Sequence, residues 1–101
     1  MHKPMYLKVH RAPGMSDVVA VCDRELINTT ISHDKRSVKI TEAFYGTSTV
    51  SESEVREALK RACNANLMGE RAITTAIDMG LVTREGCIMI GKVPHVQIYE
   101  L

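Results

Sequence analysis

The sequence predicts an α+β fold, a two-layer sandwich in which a mostly antiparallel sheet is covered on one face by two helices. Three observations predict it. The stretch from Ser51 to Gly80 carries the strongest helical period of the chain. Met5 to Ala12 and His95 to Leu101 alternate apolar with polar residues, as strands with one buried face do. Pro13-Gly14 separates the first alternating run from an apolar one at Asp17 to Cys22, and proline followed by glycine supplies the backbone angles of a hairpin turn.

Length and composition limit what such a fold can do. The 101 residues suit one domain, 1–101, with a single core. Apolar residues make up 45% and charged residues 25%, and with no Trp and one Phe the core has to be filled by aliphatic side chains and methionine. A net charge of +1 gives no global field toward nucleic acid or an anionic membrane, so any such contact is local. The chain lacks an apolar run of membrane-spanning length, and MHKPMY lacks the apolar core of a signal peptide, so the expected location is the cytoplasm, away from membranes. Cys22, Cys63 and Cys87 are widely spaced and lie in apolar patterns, which reads as three reduced core thiols. They show no paired zinc spacing, and neither metal nor cofactor is implied.

Taken in order, Met5, Leu7 and Val9 face one way and Tyr6, Lys8 and His10 the other. The run Val18 to Cys22 is apolar on both faces, as an interior strand is. Asp23 can cap a short helical turn to Ile27, ended by Asn28, a residue type that tolerates the left-handed region. Thr29 to Arg36 is a polar loop, and Ser37 to Thr41 a short strand with Val38 and Ile40 inward. His33, Lys35, Arg36 and Lys39 form a basic patch without neighbouring aromatics, which reads as a solvated loop. Phe44 is expected to plug the core at the helix entrance, with Tyr45 either in the core or projecting as a stacking platform.

Ser51 and Glu54 form a capping box at the start of the first long helix. Val55, Ala58, Leu59, Ala62, Cys63 and Leu67 follow at steps of three and four, which places them on one face and carries the helix to a hinge at Gly69. On that reading Asn66 falls inside the apolar stripe and must hydrogen-bond to backbone. The second helix buries Ala72, Ile73, Ala76 and Ile77 and stops at Gly80. Thr83 to Gly86 is a turn, Cys87 to Ile90 a short apolar strand, and Gly91 to Pro94 a break. The last strand sends Val96 and Ile98 to one side and His95, Gln97 and Tyr99 to the other. A winged helix is the alternative fold. Its recognition helix would carry Glu70, Arg71, Thr74, Thr75 and Asp78, which give no positive excess for a DNA groove.

Phe44-Tyr45-Gly46, Ala65-Asn66-Leu67-Met68-Gly69 followed by Arg71-Ala72, and Ile90-Gly91-Lys92-Val93-Pro94-His95-Val96-Gln97-Ile98 together give the chain a family signature. The chain resembles the archaeal family of uncharacterised proteins known as domain of unknown function 424. The last motif is the most specific, and Asn28 to Lys35 departs most from the pattern. The resemblance implies a small archaeal α+β protein of two-layer type and no established activity.

Function is then read from the polar strand faces and these motifs. The binding residues they single out are Tyr45, Asn66, Arg71, Lys92, His95, Gln97 and Tyr99. Lys8, His10 and Arg11 are expected to come together with His95, Gln97 and Tyr99 on an open sheet face, a set of donors with an aromatic such as sheet-based RNA binders use. The expected role is a non-catalytic binding module with RNA or a translation component as partner. The alternatives are a protein-protein adaptor or homodimer using that face, and a small-molecule enzyme built on His95. Catalysis is the weakest of these: thiols in apolar runs are inert, paired carboxylates are not visible, and Gly91-Lys92 lacks the rest of a phosphate loop.

Overall fold

A computed structural model describes residues 2–11 and 13–99; Met1, Ala12, Glu100 and Leu101, the last three of them assigned to strands above, lie outside the described residues. The chain folds as α+β. Strands β1 (Met5–His10) and β2 (Val18–Asp23) form the expected antiparallel hairpin. A short 3-10 turn (Arg24–Leu26) leads to a separate hairpin of β3 (Thr30–His33) and β4 (Arg36–Lys39). Then come α1 (Glu42–Tyr45), β5 (Thr49–Val50), α2 (Glu52–Arg61), β6 (Asn64–Met68) and α3 (Glu70–Asp78). A second 3-10 turn (Arg84–Gly86) precedes β7 (Ile88–Ile90) and β8 (Val93–Ile98). The main sheet runs β5-β1-β2-β6-β8-β7, antiparallel at every pairing except β2 with β6.

Two sequence expectations are corrected here. Ser51 to Gly80 is not a helix hinged at Gly69 but helix, strand, helix. Ala62 leaves α2 in an extended conformation. After it, Asn64 and Asn66 alternate with buried Ala65 and Leu67, a period of two that the three-and-four spacing of Leu59, Ala62, Cys63 and Leu67 conceals. Five residues with two asparagines hold little intrinsic helix, and pairing on both sides with β2 and β8 decides the outcome. The intervening strand also removes the winged-helix reading. The second correction concerns Thr29 to Arg36, read as a polar loop: Thr30–His33 is a strand, and the strand expected at Ser37 to Thr41, found at Arg36–Lys39, pairs with it outside the main sheet.

The start of α2 and the end of α3 follow the sequence. Ser51 Oγ accepts from the Glu54 backbone at 3.2 Å, and Arg56 meets Glu52 at 3.0 Å. Glu57 pairs with Lys60. At the end of α3, Gly80 has a φ of 76° while its N–H and that of Leu81 return to Ile77 and Ala76 carbonyls. Asn28 takes the left-handed conformation at φ 64°.

α2 and α3 cover one sheet face. Val55, Leu59, Ala72, Ile73 and Ala76 pack there on Met5, Val19, Val21, Ala65 and Leu67. The opposite face is not wholly open: Ile40, Tyr45, Cys22, Ala20 and Met68 make a second, smaller core roofed by the β3–β4 hairpin, α1 and the turn at Leu26-Ile27. Of the three thiols only Cys22 is fully buried, and Cys63, just beyond α2, is exposed.

Because β2 and β6 run parallel, their ends lie side by side, and this places Asp23 against Gly69. Asp23 does not cap its own 3-10 turn. Its carboxylate instead accepts from the backbone N–H groups of Arg71 at 3.0 Å and Ala72 at 2.9 Å, two first-turn donors of α3 that have no partner within the helix. Burial pushes the Asp23 carboxyl above its usual range, opposed by those two bonds. The raised value means that the folded state binds this proton more tightly than the unfolded chain. Asp23's contribution to stability is therefore fullest in acid and declines as pH rises through its folded pKa. Glu25, held low by Arg71, runs the other way. NMR titration should find Asp23 above and Glu25 below the ordinary carboxyl range.

Candidate ligand-binding sheet face

The side chains that share the second sheet face can be followed strand by strand. Lys8 of β1 lies opposite Ala20 of β2, which lies opposite Asn66 of β6, which lies opposite Gln97 of β8. This is one continuous row across four strands. A parallel row holds His10, Val18 and Asn64, with Tyr99 just past the end of β8 on the same face. Four strands span roughly 14 Å from first to last.

Two side chains of the first row, Asn66 and Gln97, are tied together with Tyr45 of α1. The Tyr45 hydroxyl donates to Asn66 Oδ1 at 2.6 Å, and Asn66 Nδ2 donates to Gln97 Oε1 at 2.7 Å. Tyr45 is buried, which raises its hydroxyl pKa, while Asn66 and Gln97 are half-buried. At the β1 side, Lys8 Nζ donates to the Ala43 carbonyl at 2.9 Å and the His10 Nε2 lies 2.7 Å from the Phe44 carbonyl. These two contacts seat α1 on the sheet edge. They leave the Phe44 ring stacked on His10 at a centroid distance of 4.8 Å, with an exposed side. At the β8 side Tyr99 is 73% exposed. The face is thus polar in its middle and bounded by rings at both ends.

Of the two adjacent aromatics, Tyr45 takes the core position, one of the two open to it in the sequence reading, while Phe44, expected to plug the core, is the exposed ring. Neighbouring residues on a helix point about 100° apart, so one of the pair had to leave the core. The tyrosine stays because Asn66 accepts its hydroxyl proton. Asn66, expected on a helix and bonded to backbone, sits on a strand and bonds to two side chains.

Of the other singled-out residues, His95 lies on the same face, its Nδ1 2.9 Å from the Leu67 carbonyl. Arg71 and Lys92 do not join this group. Arg71 is bonded to the Glu25 carboxylate at the start of α3. Lys92 is in the β7–β8 turn beside a small hollow of about 150 Å³ shared with Asp23, Glu25 and Gly69. The wider hollow of about 560 Å³, lined in part by Met5, Ser51, Arg71 and Thr74, opens between α2 and α3, away from the sheet face. The Cys22 thiol, pushed up to about 12 by burial, is held as an inert thiol. Among the described residues no group of three His, Cys, Asp or Glu side chains converges as metal ligands, and no helix is long and apolar enough to cross a membrane.

A crystal structure of an uncharacterized conserved protein from Methanopyrus kandleri is similar to this chain, with 29% sequence identity and a TM-score of 0.80 over 96% of this chain and 91% of the other. No curated protein matches. The family model described as "Protein of unknown function (DUF424)" matches residues 10–101, and the chain belongs to that family.

Proposed function

We propose that this protein is a non-catalytic binding module whose second sheet face takes single-stranded RNA. The observation that carries the reading is the polar row Lys8, Asn66 and Gln97 flanked by the exposed rings of Phe44 and Tyr99. Rings spaced across a sheet stack the two or three bases that such platforms accept, with amides between them at the height of the base edges. Stacking is worth about 1 to 3 kcal/mol per base. The cationic share is small: Arg11 is paired with Asp17 at 3.3 Å, which leaves Lys8 as the main phosphate contact.

Fluorescence anisotropy with labelled single-stranded RNA of about eight nucleotides tests this. Binding is expected with a shallow salt dependence, a log–log slope near −1, as one or two phosphate contacts give. Lys8→Ala with Tyr99→Ala should weaken it at least tenfold. Equal binding by the double variant, or none by the wild type, removes the reading.

The alternative of a homodimer is favoured by a different feature. Edge strand β7 carries Ile88 at 60% and Met89 at 49% exposure, without the lysine or proline that usually blunts an edge. Two copies joined antiparallel through β7 would cover both side chains. Analytical ultracentrifugation should then give a dimer that Met89→Lys returns to monomer; a monomeric wild type excludes it.

A further inference from the structure

We infer that the Tyr45–Asn66–Gln97 run makes the face selective for bases that present a carbonyl oxygen, uracil and guanine, over those that present an amino group there, cytosine and adenine. This rests on the RNA reading above and adds to it a specificity.

The polarity of the run is set at its buried end. Tyr45 is 4% exposed, and its hydroxyl proton goes to Asn66 Oδ1 at 2.6 Å. Among the described residues no buried side-chain nitrogen or oxygen lacks a partner. Turning the Asn66 amide over would aim Nδ2 at the phenol oxygen and deprive the buried hydroxyl proton of this acceptor, so the carboxamide is held one way round. Asn66 Nδ2 then faces Gln97 and needs an oxygen there, which Gln97 Oε1 supplies at 2.7 Å. With its oxygen turned inward, what Gln97 has left to offer is the Nε2 amide protons. A donor at that position matches uracil O4 or guanine O6 and meets a second donor in cytosine N4 or adenine N6. The phenol is the anchor, since burial raises its hydroxyl pKa and keeps the proton on the oxygen that donates to Asn66.

Uracil and cytosine have the same size and stack alike, so the pair isolates the hydrogen-bonding edge. Anisotropy titrations with labelled oligo(U) and oligo(C) of eight nucleotides should show oligo(U) bound about tenfold more tightly. Tyr45→Phe removes the anchoring proton while keeping the ring. It frees the Asn66 and Gln97 amides to turn either way and should bring the ratio close to one, with oligo(C) gaining as oligo(U) loses. Gln97→Glu replaces the outward donor with an acceptor and should lower both affinities but invert the ratio. Circular dichroism melts verify that both variants are folded before the ratio is read. Equal wild-type affinities, or a ratio that survives Tyr45→Phe, overturn the selectivity and leave RNA binding standing. Failure to bind either oligonucleotide overturns both.

Discussion

Replacing Gly69 with alanine should cost roughly 3 kcal/mol of folding stability, combining about 1 to 3 for strained backbone with about 1 to 3 for overpacking. Gly69 is buried and holds a φ of 108°, where a side chain is strained whatever the surrounding space. Space is also lacking: a Cβ built there would stand 2.5 Å from Asp23 Cγ. Neither party can retreat, because the carboxylate is bonded to two backbone donors of α3 and Gly69 N–H is bonded to the Pro94 carbonyl at 2.9 Å. At about 4 to 8 °C per kcal/mol for a chain of this size, the midpoint of thermal unfolding should drop by roughly 12 to 24 °C. A loss within about 0.5 kcal/mol would mean that β6 and α3 are joined differently from the geometry described.

Asp23→Ala is expected to cost about 2 kcal/mol, the second-largest effect. It strands the N–H groups of Arg71 and Ala72, the latter fully buried, and removes a negative charge from the positive end of α3. Part of the loss is offset because a carboxylate whose pKa is raised by burial is itself costly to keep ionised. That opposition gives a signature. The gap between wild type and Asp23→Ala should be widest in acid and should narrow as pH rises through the folded pKa of Asp23, by the sign worked out above. Urea melts at several pH values read it directly. The two substitutions should also be non-additive, since without the carboxylate an alanine at position 69 keeps only its backbone strain. Additive costs would show that Gly69 is demanded by conformation alone.

These residues explain why part of the fold was legible in the sequence and part was not. Local signals were accurate at the Pro13-Gly14 turn, the Ser51 cap, the Gly80 stop, the left-handed Asn28 and the alternation in β1 and β8, while the polar β3 strand, without an apolar alternation to mark it, read as a loop. What the sequence concealed is long-range. Asp23 reads as the cap of the turn that follows it, and only the parallel pairing of β2 with β6 reveals that it serves a helix 48 positions downstream. The same pairing turns Asn64 to Met68 into a central strand. The two-residue period there was visible but too short to compete with the longer helical pattern around it.

The candidate site divides in the same way. That His95, Gln97 and Tyr99 share a face with Lys8 and His10 follows from strand alternation alone. The union of Tyr45, Asn66 and Gln97 needed the placement of α1 against β6, which no spacing encodes. Arg71 stood out through the motif Ala65 to Gly69 followed by Arg71-Ala72, and its contacts account for that motif through structure: Gly69 makes room for Asp23, while Arg71 and Ala72 bind it. Lys92 and Arg71 border Asp23 and Glu25 rather than the sheet face.

The most direct test of RNA binding on the sheet face is a nitrogen-15 NMR titration of the folded protein with oligo(U). Binding through this face predicts shift changes gathered on Lys8, His10, Phe44, Asn66, Gln97 and Tyr99, including the side-chain amides of Asn66 and Gln97, with α2 and the outer side of α3 unmoved. Saturable changes centred on the α2–α3 side, or a spectrum that oligo(U) leaves untouched, would contradict it.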